Sequence, residues 1–297
     1  MKKVDKLKFN NIMEYFIRHT DDIEISISGF EDLYKECLIG IHYTSKYIDN
    51  RDELLKDDAY IQADAKRALR YMNDLGKTGG YIWSDYSPIS KSIIGKIEPN
   101  TQVVLRDYDL DPKKNSVDCK NNKLIMKCLK LSDVKEIAED QFLFLKARRP
   151  QRGVIVIWNK SYEKLSKIFK GEFSINSVND LTPDQLEILV FEYLRRSPNN
   201  KYNVNYLLMP IGRTMKDVDI YGVNKSGNKI FIQVTYSSDD KKNKIDALQK
   251  YKGKDSFLVY AGDVEEKEEG GIAYMNVRKI YDWMHKNTNI ISLMETS

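Results

Sequence analysis

Read for the spacing of its apolar positions, the chain falls into two stretches of different character. Near the start, Phe9 to Arg18 carries a helix-like pattern, Ile23, Ile25 and Ile27 alternate at strand period, and a short helical stretch ends near the CLIGIHYTS run. From Asp52 to Leu75, the residues Leu54, Leu55, Tyr60, Ile61, Ala65, Ala68, Leu69 and Met72 recur at helical spacing. That helix is predicted to stop where Gly76 supplies an end and Gly79 and Gly80 a turn. Between Tyr81 and Trp158 come β-rich runs (SIIGKI, TQVVLRDY, KLIMKCLKL, RGVIVIWN), separated by turn residues Pro88, Pro99, Asn100, Asp111, Pro112, Asn121 and Asn122. This pattern predicts a small, mostly antiparallel barrel.

Lys170 to Asp180 is polar and without period, which places a domain boundary there. Beyond it the predicted order is helix (Pro183 to Arg195), strands (Val204 to Met209, Asp217 to Val223, Lys229 to Tyr236), helix (Lys242 to Tyr251), strands (Ser256 to Ala261, Gly271 to Asn276) and helix (Arg278 to Lys286). Thr182 and Pro183 suit the capping and first positions of the opening helix. The acidic EEKEEGG run, Glu265 to Gly271, reads as a solvated loop.

At 297 residues, two domains are expected, residues 1–172 and 181–297. With 31% charged residues and no apolar run near the roughly 20 residues a bilayer requires, the sequence reads as a globular protein of the cytosol that does not engage a membrane. The N-terminus has lysines but neither an apolar core nor a cleavage site, so it does not read as a secretory signal. Cys37, Cys119 and Cys128 lack paired metal-ligand spacing and read as packing residues. A net charge of +4 barely favours a polyanion, but basic residues gather at Lys146 to Arg152, at Arg195 and Arg196, and between Asp239 and Ile245. Such clusters can neutralise phosphates or simply face solvent.

Three segments of the second half carry the candidate chemistry: LTPDQLEILVFEYLRR, GRTMKDVDIYGV and IFIQVTYS. In this order they resemble the opening helix, the acidic strand and the Q/E-x-K strand of the PD-(D/E)xK nucleases, with the Mrr-type restriction enzymes nearest. The resemblance covers about the last 115 residues. It implies an α/β restriction-endonuclease-like domain, a mixed sheet flanked by helices on an αβββαβ core, with Glu187, Asp219 and Gln233 holding Mg2+ or Mn2+. Physically, phosphodiester hydrolysis suits a divalent cation with hard oxygen ligands, which two carboxylates and an amide can supply. Asp217 and Asp219 share one face of a strand while Val218 and Ile220 take the other, and Gln233 and Thr235 share a face on the next strand. The thirteen residues between Asp219 and Gln233 suit a hairpin that sets these faces side by side.

Where the family places its lysine, this chain has Thr235, which carries no charge. Lys242 or Lys244 on the following helix can reach back, or the domain binds nucleic acid without cutting. Asp219 can also be a turn residue and Glu187 an exposed helix residue; Asp184 and Glu192 on the same helix are competing carboxylates.

The first half, read as an α+β, partly barrel-like domain, resembles PUA-like modules such as EVE and YTH domains. That implies an aromatic cage for a base from Tyr81, Trp83, Tyr86 and Trp158, with Arg148, Arg149 and Arg152 on the phosphates. The same rings can instead be core, and His42 a satisfied core histidine. The whole predicts a restriction or anti-phage endonuclease acting on nucleic acid, DNA in the first instance, as a homodimer. The alternatives are a degenerate nuclease fold that only binds, and an effector nuclease switched on by a nucleotide signal.

Overall fold

The computed structural model describes residues 13–47, 50–113, 123–161, 163–198, 201–209, 215, 217–236 and 241–296. Residues 9–12 of the first expected helix, Cys119, the Asn121 and Asn122 turn, Gly212 of the acidic-strand motif, and Asp239 and Asp240 lie outside them. The chain forms two compact units that divide between Phe173 and Ser174.

The first unit runs β1 (Glu14–His19), α1 (Ile27–Lys35), β2 (Leu38–Ile41), α2 (Ala63–Thr78), β3 (Gly80–Tyr86), β4 (Lys91–Ile97), β5 (Val104–Asp109), β6 (Lys123–Lys130), β7 (Asp133–Glu136), α3 (Leu143–Lys146), β8 (Ile155–Ile157) and α4 (Lys164–Lys170). Its strands make a five-stranded mixed sheet, order β7-β4-β3-β1-β8, and a three-stranded antiparallel sheet, order β2-β6-β5. Among the described residues neither sheet closes, which corrects the expected barrel. β1 is parallel to β3 and interior to its sheet, so both of its faces are buried. A strand buried on both faces loses its alternation, and this one had read as a helix. The Ile23 to Ile27 alternation is also not a strand: Ile25 makes an isolated bridge to Leu110, and Ser26 caps α1 by accepting from the Gly29 amide. Two short 3-10 turns, Arg51–Leu55 and Asp57–Ala59, take up the front of the long expected helix. α2 itself buries Ala65, Ala68, Leu69, Met72, Leu75 and Gly76 along one stripe and ends at Gly79, whose φ of 71° favours glycine.

The second unit runs α5 (Pro183–Arg196), β9 (Val204–Leu208), β10 (Ile220–Asn224), β11 (Lys229–Val234), α6 (Lys241–Gln249), β12 (Ser256–Gly262), β13 (Lys267–Glu269), β14 (Ile272–Asn276), α7 (Val277–Asn287) and α8 (Ile290–Thr296). It is a mixed α/β fold on one six-stranded sheet, order β13-β14-β12-β11-β10-β9. β9, β10 and β11 are antiparallel neighbours, and β12 and β14 then run parallel to β11. α6 lies over Phe231, Leu258, Tyr260, Ile272 and Tyr274 on one face, through Ile245 and Leu248. Short strand β13 stands where the sequence predicted a solvated loop, and helix α8 follows the last predicted element. Among the described residues no helix is long and apolar enough to cross a membrane.

Candidate functional site

The β10–β11 hairpin sets the register on which the site depends. At its turn, the Asn224 side-chain oxygen accepts from the amides of Ser226 (3.0 Å) and Asn228 (2.8 Å), and Gly227 takes a φ of 84°. From there the ladder pairs Val223 with Lys229 and Ile220 with Ile232. One step further, the Asp219 amide donates to the Ile232 carbonyl at 2.9 Å, which brings Asp219 beside Gln233. Ile220 is buried on the opposite face, whereas Val218, ahead of the strand, packs with Phe231 and Leu248 under α6, which corrects the expected alternation; Asp219, bonded to Gln233, lies on the α6 side.

There the Gln233 amide nitrogen donates to Asp219 Oδ2, and the Val234 backbone amide donates to the same oxygen at 2.7 Å. Oδ1 takes no hydrogen bond among the described residues. Burial raises the Asp219 pKa, and the nearby Asp184 charge adds to that; the Val234 amide, the Lys244 charge and the Gln233 amide oppose it. The ladder continues the row sideways from Gln233 to Tyr260 and then Tyr274. Above it, Lys241 Nζ lies 6.0 Å and 5.2 Å from those two ring centres.

Of the two lysines expected to compensate for Thr235, the structure separates one from the other. Lys241, Lys244, Ile245 and Leu248 follow helical spacing on the face of α6 that packs on the sheet, and Lys244 is half-buried with its charge acting on Asp219. Lys242 is exposed. Thr235 is buried at the end of β11, its amide donating to the Ala261 carbonyl at 2.9 Å. Glu187 lies half-buried on α5, one turn beyond Asp184. Glu192 is engaged by Arg195 (2.8 Å) and Arg196 (2.7 Å), so that basic pair is matched by its own helix.

Among the described residues no three of His, Cys, Asp and Glu gather as a ready-made metal cluster. The donor set at Asp219 still fits a hard divalent cation: a half-buried carboxylate with one oxygen that takes no hydrogen bond among the described residues, beside an amide side chain. Magnesium needs only one or two protein carboxylates, with water and substrate oxygens completing its shell.

The aromatic cage expected in the first unit is not formed. Trp83 is 0% and Trp158 2% exposed, and their rings pack edge to face at 6.0 Å. Tyr81 packs on Phe169, while Tyr86 is stacked on His19 at 4.5 Å and donates to the Leu38 carbonyl at 2.7 Å. Rings of this size contribute most when buried, and here they build the core. Arg149 is paired to buried Asp85, which also accepts from Trp83 Nε1 and Ser92 Oγ, each at 2.7 Å. Arg18 donates to the Pro150 carbonyl at 2.6 Å. The basic segment is thereby pinned to its own unit; Arg148 is half-buried and Arg152 exposed. Asp85 and His19 are central groups that no motif in the sequence pointed to. His42 bonds the Ile125 carbonyl at 3.0 Å and is half-buried.

No known protein family and no curated protein matches the chain. Among solved structures, a repair endonuclease from Pyrococcus abyssi is similar over 67% of this chain and 71% of its own, at 12% identity and a TM-score of 0.20, an overlap too loose to define a shared fold.

Proposed function

We propose that the second unit is a metal-dependent phosphodiesterase acting on nucleic acid, with DNA as its substrate, and that it serves restriction or anti-phage defence. The reading is carried by one observation: Asp219 and Gln233 meet side chain to side chain, with the charge of Lys244 bearing on the carboxylate. Helix, three antiparallel strands, helix and parallel strand, in that order, also agree with the αβββαβ core that the sequence resemblance implies. Asp219, Gln233 and Glu187 would hold Mg2+ or Mn2+. When bound, such an ion would polarise the phosphate and allow water to attack it near neutral pH. Lys244 places an ammonium, with three donors, where charge develops on the phosphate; Thr235 offers none. Cutting both strands of a duplex calls for two such sites, so the working form is proposed to be a homodimer.

The test is cleavage of supercoiled plasmid, and of single-stranded RNA for comparison, with Mg2+ or Mn2+. Wild type is expected to nick and then linearise the plasmid, and Asp219→Ala and Lys244→Ala to slow it by about 100-fold or more. Lys242→Ala should cut like wild type. A second reading is favoured by Thr235 and by the amide nitrogen that Gln233 turns onto Asp219: a domain that binds without cutting. Wild type and Asp219→Ala both inert, with Thr235→Lys gaining cleavage, would establish that second reading.

A further inference from the structure

We propose that the first unit takes up an extended basic segment of a partner protein, which lies in the cleft between α1 and the outer edge of β5 and adds a strand to that edge. β5 is an end strand of the three-stranded sheet. At its C-terminal end the outer edge is already used by the chain itself. Ile25 bridges Leu110 in antiparallel sense, the Ser26 amide donates to the Asp109 carbonyl at 2.9 Å, and the Asp111 amide donates to the Glu24 carbonyl at 2.9 Å. Main-chain groups of alternate residues in a strand point the same way, so the amides and carbonyls of Leu105 and Asp107 face outward too. Pairing stops short of them because the chain turns into α1 at Ser26, and among the described residues neither amide has an acceptor.

α1 forms the far wall of a cleft of about 430 Å³ whose near wall is Leu105 to Asp109. On the strand, Asp107 and Asp109 are matched by Arg51 at 2.9 Å and Lys123 at 3.5 Å. On the helix wall, Asp32 and Glu36 are exposed, and their carboxylates make no ion pair or hydrogen bond among the described residues. A Cβ at Gly29 would lie 3.4 Å from the Tyr108 ring, so α1 stands on the face of β5 that carries Arg106 and Tyr108. There the two acids outnumber the one arginine. Residues four apart on a helix lie about 6 Å apart along it, and alternate residues of a strand about 6.8 Å. Two lysines or arginines two positions apart on an added strand therefore match Asp32 and Glu36, while its main chain pairs with Leu105 and Asp107. The same surplus of acid disfavours a nucleic acid in the cleft.

The probe is an acetylated, amidated peptide of alternating threonine and lysine, as long as β5, added to the full-length protein. Fluorescence anisotropy of a labelled copy reads affinity, and amide hydrogen exchange by NMR reads the edge. With peptide about ten times above its Kd, exchange at Leu105 and Asp107 should slow about tenfold, while Arg106 and Tyr108, which face β6, stay unchanged. Methylating one alternate set of peptide amides should abolish binding and methylating the other set should not, because only one set faces β5. Asp32→Lys combined with Glu36→Lys should weaken the peptide about tenfold. A peptide with glutamate in place of lysine, which wild type should not bind, should bind that variant. Equal binding of the lysine peptide by both proteins, binding that leaves Leu105 and Asp107 exchange unchanged, or no binding by wild type would each overturn the proposal. Slowed exchange of these two amides on raising protein concentration alone would place a second copy of this chain in the cleft and overturn it as well.

Discussion

His19 shows how much one side chain of the first unit decides. It is fully buried, its Nε2 accepts from the Gly40 amide at 3.1 Å, and its Nδ1 faces the Asp85 carbonyl at 3.2 Å. Both ring nitrogens are satisfied only in the neutral tautomer, with Nδ1 carrying the proton. Burial pushes its pKa down from 6.5 to about 4. A base whose folded pKa lies below its unfolded value contributes stability that is present above the unfolded pKa and is lost as pH falls through the folded one. The first unit should therefore lose on the order of 3 kcal/mol as pH drops from about 6.5 to about 4. Urea unfolding at several pH values across that window measures the slope, and His19→Gln should flatten it. An equal slope in both proteins would remove His19 as its source. Nothing around residue 19 in the sequence marked it, because both of its partners are backbone groups brought in from β2 and the end of β3.

Among elements, α5 is the one whose start matters most, since Glu187 follows from it. Its capping box is built from Thr182 and Gln185, and Thr182→Ala should cost about 1 kcal/mol of stability, read as a lower urea midpoint with unchanged slope. This start was legible in the sequence, as were the β10–β11 hairpin and α7, because capping residues, turn residues and one-sided apolar stripes are local signals. Asp219 and Gln233 could be paired for the same reason: a short hairpin makes register a matter of counting. What sequence could not supply was the context of residues buried on all sides. β1 lost its alternation in the interior of a sheet, and Trp83 and Trp158 looked like a ligand cage because an aromatic residue has the same letter in a core as on a surface. Choosing Lys244 over Lys242 required knowing which side of α6 meets the sheet.

At the scale of the whole chain, two compact units divide between Phe173 and Ser174, each with its own core. A fragment spanning residues 174–297 is expected to express as a folded protein with a single cooperative melt and to retain the Mn2+ affinity of the full chain. Circular dichroism and a titration with Mn2+ that follows the free ion by EPR would check it. A fragment that is unfolded or does not bind would mean that the first unit contributes to the fold or to the site.

The lysine proposed for the site, Lys244, stands on a helix rather than on a strand, and this has a thermodynamic consequence. A strand-borne side chain is fixed by the hydrogen-bonded ladder and leaves only when the sheet comes apart. Lys244 is held instead by the grip of Ile245 and Leu248 on the sheet, a handful of apolar contacts. Local opening of that one segment would withdraw the ammonium while Asp219 and Gln233 stayed paired. Under the proposed function, cutting and merely gripping would then differ by the free energy of undocking a nine-residue helix, not by a change of fold.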